Sequence, residues 1–216
     1  MELMTPVTRL CLVRHGETAW NADRRLQGHI DVPLNEVGQA QAAATAACLP
    51  AGLFSACYSS DLQRAFETAR VASRAAGLLP NTAPALRERH YGCFQGLTYV
   101  EAKQRFPEAY ARFEERDPHY AFPAGGESLH AFSERVRAAL EDIVSRHPGA
   151  CVLVVTHGGV LDIVHRLATG KSLTAARDFT IPNAALNWVR HRGRWELESW
   201  GDTTHLATAR DELPNA

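Results

Sequence analysis

The chain has almost no net charge: 23 lysines and arginines stand against 24 aspartates and glutamates, a formal charge of −1 over 216 residues. That excludes binding that rests on a global positive field, so neither a nucleic acid nor a membrane surface is expected as a partner, and cationic chemistry has to be local. No apolar run approaches the ~20 residues that span a bilayer. No long apolar stretch follows a basic region at the N-terminus. A C-x-x-C pair is missing too. The five cysteines, Cys11, Cys48, Cys57, Cys93 and Cys151, are odd in number and scattered, which fits buried thiols in a reducing cytosol rather than a disulfide framework. Repeats, low-complexity tracts and linkers are lacking. The expectation is a soluble cytoplasmic protein of one domain, residues 1–216, which at this length buries about 70% of its unfolded surface.

What is present alternates. Apolar runs of a few residues take turns with helical patterns, the signature of βαβ units. The predicted fold class is α/β, a three-layer sandwich with a mainly parallel central sheet, helices on both faces and a small helical and loop cap. Strands are expected at Val7–Val13, Phe54–Tyr58 and Cys151–Val155, the last central, with a short extended piece at Ala83–Leu86. Asn35 is placed to cap a helix reaching Leu49, in which Gly38 is a mild cost. Ser60 or Asp61 is placed to cap a helix from Leu62 to Ala76, ended by Gly77. A pattern from Thr98 to Glu115 is broken by Pro107, and Ser128 begins a long helix to Arg146. Helical pattern resumes from Val160 to Leu167. The cap is expected over about 90–127. Ala185–His191 and Trp195–Trp200 read as a hairpin, followed by a loosely held tail over about 202–216.

Two strands end alike, in Val13-Arg14-His15-Gly16 and Val155-Thr156-His157-Gly158. As parallel neighbours about 4.8 Å apart, they bring both imidazoles to one ligand at the carboxyl edge of the sheet. A single such histidine is as often a satisfied buried residue, but two at glycine-terminated strand ends point to a site. Zinc is disfavoured, because the ten histidines show no i, i+4 pairing or Cys/His spacing, so no metal is expected. An esterase lacks its G-x-S-x-G elbow. Phosphate fits better. Arg14 offers a planar fork, Gly158 and Gly159 open a helix whose N–H groups suit an anion, and Arg64 follows another strand.

The sequence Leu12-Val13-Arg14-His15-Gly16-Glu17-Thr18 with Trp20-Asn21 resembles the signature of the histidine phosphatase superfamily, the phosphoglycerate-mutase-like enzymes. Ser59-Ser60-Asp61-Leu62-Gln63-Arg64-Ala65, Gly126-Glu127-Ser128 and Thr156-His157-Gly158-Gly159 are similar to its later motifs, in order. The resemblance implies phosphoryl transfer through a phosphohistidine without a cofactor. It makes His15 the nucleophile, with Arg14, Arg64 and His157 on the phosphoryl oxygens and Glu88 as general acid and base. It assigns substrate binding to Asn21, Gly158, Tyr91, Arg89, Gln27 and Gly28, and it leaves Glu17 and Glu127 as structural carboxylates.

Within that family the chain is divided. Glu88-Arg89-His90-Tyr91-Gly92 resembles the acid loop of the cofactor-dependent mutases. Against a mutase, Tyr99 stands where those enzymes carry lysine, Glu114-Glu115 where they carry two arginines, and Gly159 where they carry asparagine. The expected activity is hydrolysis of a small phosphorylated metabolite. The alternative is a phosphoglycerate mutase, and a third reading is a non-catalytic phosphate-binding regulatory protein. Tyr91, Phe94, Tyr99, Phe113, His119, Tyr120 and Phe122 are candidates for the pocket mouth or for packing of the cap. The last hairpin offers an edge for a homodimer.

Overall fold

A computed structural model describes residues 6–209 and 211. Among them, β1 (Thr8–Arg14), β2 (Ala56–Ser59), β3 (Pro80–Thr82), β4 (Cys151–Thr156), β5 (Leu186–His191) and β6 (Trp195–Asp202) form one sheet in the order β3-β2-β4-β1-β5-β6. β1, β2, β3 and β4 are mutually parallel; β5 and β6 add an antiparallel hairpin at one edge. The mainly parallel sheet, the central fourth strand and the closing hairpin agree with the pattern read from the sequence.

Strand alternation sorts the core into two layers. Leu10, Leu12, Val152 and Val154 face α6 (Leu129–Arg146) and α7 (Gly158–Thr169), which contribute Phe132, Val136, Leu140, Leu161 and Ile163. Cys11, Val13, Leu153 and Val155 face the other way, toward Ala65, Ala69 and Ala72 of α3 (Gln63–Ala72). Burial of each large aliphatic side chain contributes about 1.5–3 kcal/mol, which is why β4, apolar on both faces, lies between two helical layers. A short helix α1 (Ala19–Ala22) follows the His15 turn, and the alanine-rich helix α2 (Glu36–Cys48) starts where expected, with the Asn35 side chain accepting the Gly38 N–H at 2.8 Å. Gly38 is more than a mild cost: a Cβ there would collide with the Glu17 backbone, and one on Gly16 would collide with the Gly38 carbonyl. This close approach seats α2 against the turn that follows His15.

A third apolar cluster stands apart from the sheet. It joins Phe94 and Tyr91 to Ala102 of α4 (Tyr99–Arg105), to Tyr110 and Phe113 of α5 (Pro107–Glu114), and to Phe122. Pro107 separates these two helices by opening the second, at the first-turn position where its missing N–H costs nothing.

Three expectations differ from the structure. Neither Ser60 nor Asp61 is the helix cap: α3 has Leu62 at that position with no side-chain cap. Arg87 holds the Asp61 carboxylate at 2.6 and 2.7 Å, and the Gln63 N–H turns instead to Asp31. The helix ends at Ala72, and Arg74–Ala76 continues it as a 3-10 turn before Gly77. Ala83–Leu86 is not extended, because Pro84 starts a 3-10 turn over Pro84–Leu86; the neighbouring strand is Pro80–Thr82. In the described part of the expected tail, Gln41 donates to the Thr208 carbonyl, and Asp211 accepts the Ile181 N–H at 3.0 Å beside Arg177. Residues 210 and 212–216 of the expected tail lie outside the described residues.

Candidate active site

Register brings the two motifs together. Arg14 pairs with Thr156 across β1 and β4, and the His15 N–H extends the ladder to the Thr156 carbonyl at 2.9 Å. The His15 and His157 rings consequently meet edge to face, centroids 5.2 Å apart. His15 Nδ1 lies 2.7 Å from the Gly16 carbonyl oxygen. A carbonyl only accepts, so Nδ1 carries the hydrogen and Nε2 carries the lone pair. Burial pushes the His15 pKa well below its ordinary 6.5, and the Arg64 and Arg14 cations push it further. The imidazole is therefore neutral at neutral pH. His157, fully buried, is shifted the same way by burial, Arg64 and His15. Neither of its ring nitrogens has a hydrogen-bond partner among the described residues. Such an orphaned imidazole is a polar group that a ligand can satisfy.

The two arginines are held from behind. Arg14 Nη1 donates to the Ile181 carbonyl at 2.7 Å. Arg64, in the first turn of α3, donates from Nη1 and Nη2 to the Ile30 and Gly28 carbonyls. These anchors are neutral carbonyls, and the Glu88 and Asp31 carboxylates act on the Arg64 charge from nearby. Burial lowers the Arg64 pKa to about 10, which leaves it charged at neutral pH. One turn on, Thr68 accepts the Gly16 N–H at 3.0 Å, fixing α3 to the turn behind His15.

Glu88 enters from the opposite side. The Thr156 hydroxyl donates to the Leu86 carbonyl at 2.8 Å, so the end of β4 grips the chain two residues before the acid. The Glu88 carboxylate accepts the Gly159 N–H at 2.9 Å and the Arg89 N–H at 2.7 Å. Burial raises its pKa, opposed by these two amides and by Arg64 and Arg14. The Gly159 amide, read from the sequence as a donor to a bound anion, serves the protein's own carboxylate. A Cβ at Gly159 would collide with Glu88 Oε1.

Arg14, His15, Asn21, Gln27, Arg64, Glu88, Tyr91 and Tyr99 line a common cleft with Arg24, Arg25 and Leu26. Asn21 is set by its helix cap, its Oδ1 accepting from the Thr18 N–H and hydroxyl. Gln27 Oε1 is buried without a hydrogen-bond partner among the described residues. Gly28 lies behind Arg64 rather than on the lining, and Gly158 is the first residue of α7. Arg89 is not among the lining residues: its guanidinium donates to the Glu127 carbonyl and stacks 4.5 Å over Phe122. Of the candidate mouth aromatics only Tyr91 and Tyr99 line it; Phe94, Phe113 and Phe122 are buried in the third cluster, Tyr120 packs on it, and His119 packs on His130. Glu114 and Glu115 stand at the exposed end of α5 beside Lys103 and Arg112 and are not among the lining residues. Glu127 is structural, held by Arg135 at 2.7 Å. Glu17 accepts from Asn35. Sequence reasoning missed Ile181, 167 residues from Arg14, for which no local signal exists. Among the described residues no group of three or more histidine, cysteine, aspartate or glutamate side chains is arranged to hold a metal ion, and no helix is long and apolar enough to cross a membrane.

Comparison with known proteins agrees with this geometry. The chain is 42% identical over 201 residues to phosphoglycerate mutase-like protein 4 of Arabidopsis thaliana, covering 91% of this chain and 86% of the relative. It is 40% identical to a metal-independent phosphoserine phosphatase of the same plant, covering 96% and 87%. Among solved structures, YhfR of Bacillus stearothermophilus superposes with a TM-score of 0.83 at 32% identity, covering 92% of this chain and 98% of that one. The family model for the histidine phosphatase superfamily, branch 1, matches residues 10–203. With His15 on a cleft shared by Arg14, Arg64 and the buried Glu88, and His157 in ring contact behind it, the chain belongs to the histidine phosphatase superfamily.

Proposed function

We propose that the protein is a metal-independent phosphomonoesterase acting on a small phosphorylated metabolite, with His15 as covalent phosphoryl acceptor. The observation that carries this reading is the hydrogen bond between His15 Nδ1 and the Gly16 carbonyl. It turns a neutral Nε2 lone pair to the reaction beside Arg14 and Arg64. In the first step that lone pair bonds to phosphorus as the ester P–O bond breaks, and the leaving oxygen takes the proton of Glu88. In the second step water bonds to phosphorus and gives its proton to the Glu88 carboxylate. The N–P bond breaks, inorganic phosphate leaves, and His15 regains its lone pair. Charge on the equatorial oxygens is met by Arg14, Arg64, His157, Asn21 and the Gly158 amide, a pre-set array that supplies most of the rate enhancement. The raised pKa of Glu88 supports a proton at that position, and a bound phosphate dianion raises it further. Segment 90–127 is read as the cap over this cleft, within one catalytic domain that works in the cytoplasm; β6, at the sheet edge, is open to pairing with a second copy.

Hydrolysis is favoured over mutase chemistry by two residues. Tyr99 brings no cation to the cleft wall, and Gly159 has no side chain with which to hold a second phosphoryl group. A mutase must retain its bisphosphorylated intermediate, which requires cationic grip. The 40% identity to a phosphoserine phosphatase points the same way. Assaying 3-phosphoglycerate and p-nitrophenyl phosphate in EDTA tests the reading: phosphate release is expected from both. Faster conversion of 3- to 2-phosphoglycerate than release of phosphate selects the mutase, and loss of activity in EDTA rejects the mechanism.

The seat of the acid gives a second expectation. Gly159→Ala sets a methyl group against Glu88 Oε1, and a displacement of about 1 Å in a reacting group costs about 10²-fold in rate. We expect kcat to fall by about that factor, with a melting curve near that of the parent, as read by steady-state kinetics and circular dichroism.

A further inference from the structure

We propose that His29 is a positioning residue that ties the phosphoryl-holding Arg64 to the proton-donating Glu88, a role that rests on the phosphatase reading. The two groups reach the cleft from different parts of the chain, and residues 28–30 bridge them. On either side of His29, the Gly28 and Ile30 carbonyls accept Arg64 Nη2 and Nη1 at 2.8 and 2.9 Å. Between those contacts, His29 Nε2 lies 2.8 Å from the Glu88 carbonyl oxygen. A carbonyl only accepts, so Nε2 is the donor. Three consecutive residues thus join the anion clamp to the acid.

The bridge itself is set rigidly. The His29 N–H donates to Gln95 Oε1 at 2.7 Å, and its ring stands edge-on to His90 with centroids 4.8 Å apart. Gly28 adopts φ +53°, and a Cβ there would collide with the same Gln95 oxygen, so only glycine admits this turn. Among the described residues the Glu88 carbonyl has one other donor, Arg135 Nη2 at 3.2 Å, but that guanidinium is committed to Glu127 at 2.7 Å. Removing the His29 donor leaves the Glu88 backbone on the longer bond and cuts its side-chain tie to the loop behind Arg64. Burial holds the His29 pKa below its ordinary 6.5, so the neutral ring makes this bond at neutral pH.

An ordinary loop staple would affect stability alone. A residue that positions the acid affects most those substrates whose leaving oxygen needs a proton. The test uses the full chain with His29→Leu, His29→Asn, whose amide is too short to reach, and His29→Gln, whose amide reaches as far as Nε2. Activity is compared on p-nitrophenyl phosphate, a good leaving group, and on glycerol 2-phosphate, a poor one. Orthovanadate affinity, measured by calorimetry, reports the Arg64 clamp without turnover. Misplacement of an acid costs up to about 10²-fold; we expect His29→Leu and His29→Asn to lose about 10- to 100-fold more kcat/KM on the alkyl than on the aryl ester. Vanadate binding weakens in both, while His29→Gln recovers most of the loss. Equal losses on the two esters with parental vanadate affinity, in folded protein, overturn the proposal. If vanadate affinity differs between parent and variants while the parent hydrolyses neither ester, the phosphatase reading falls and the link from His29 to Arg64 stands.

Discussion

Asparagine in place of His15 is expected to lower kcat for phosphomonoester hydrolysis by about 10⁴-fold or more, because losing a covalent nucleophile removes the reaction path and not merely one contact. The size of the effect follows from the isolation of the Nε2 lone pair. The other imidazole, His157, is fully buried, at a centroid distance of 5.2 Å, and is not among the residues that line the cleft. An amide side chain has no lone pair of comparable nucleophilicity. Phosphate binding should persist, since the Ile181, Ile30 and Gly28 carbonyls anchor Arg14 and Arg64. The check is phosphate release in EDTA alongside calorimetric binding of inorganic phosphate. Activity within about 10-fold of the parent would mean that another group accepts the phosphoryl.

Replacing Glu88 by glutamine should cost about 10²–10⁴-fold on alkyl phosphates, the usual range for a lost general acid, and less on p-nitrophenyl phosphate. Glutamine preserves shape and can accept one of the two amide hydrogens, from Gly159 or Arg89, but it has no proton to give. The pH profile carries an independent signature. Burial raises the Glu88 pKa, so its protonated form is present below that raised value and is lost as pH rises through it. Burial and the neighbouring arginines lower the His15 pKa, so its neutral form is present above that value and is lost as pH falls through it. A bell-shaped kcat/KM profile is expected for the parent. In Glu88→Gln the alkaline limb should disappear and the acid limb remain.

The meeting of His15 and His157 was legible in the sequence, because two apolar runs ending in His-Gly encode both the parallel strands and what stands at their ends. β4 is apolar on both faces, so its central place was legible too. Tertiary partners defeated local reasoning elsewhere. Asp61 is a good cap by type, yet the Arg87 guanidinium offers its carboxylate two charge-assisted bonds that outweigh one helix N–H. Arg89 sits beside the acid in sequence, but the partners of its guanidinium, the Glu127 carbonyl 38 residues on and the Phe122 ring, are set by the tertiary fold. Aromatic type did not separate Tyr91 and Tyr99, on the cleft, from Phe94 and Phe113, in the cluster beneath it. Gly159 was visible as a residue, but its function was not: the carboxylate it seats belongs to a segment 71 residues away.

The covalent intermediate tests the central claim most directly. Enzyme mixed with a ³²P-labelled phosphomonoester in EDTA, quenched in alkali within the first turnovers and digested, should carry acid-labile, alkali-stable label on the peptide containing His15, with none on His15→Asn. Label on another residue, or full turnover with no labelled protein in either the parent or the Glu88→Gln variant, would contradict phosphoryl transfer through His15.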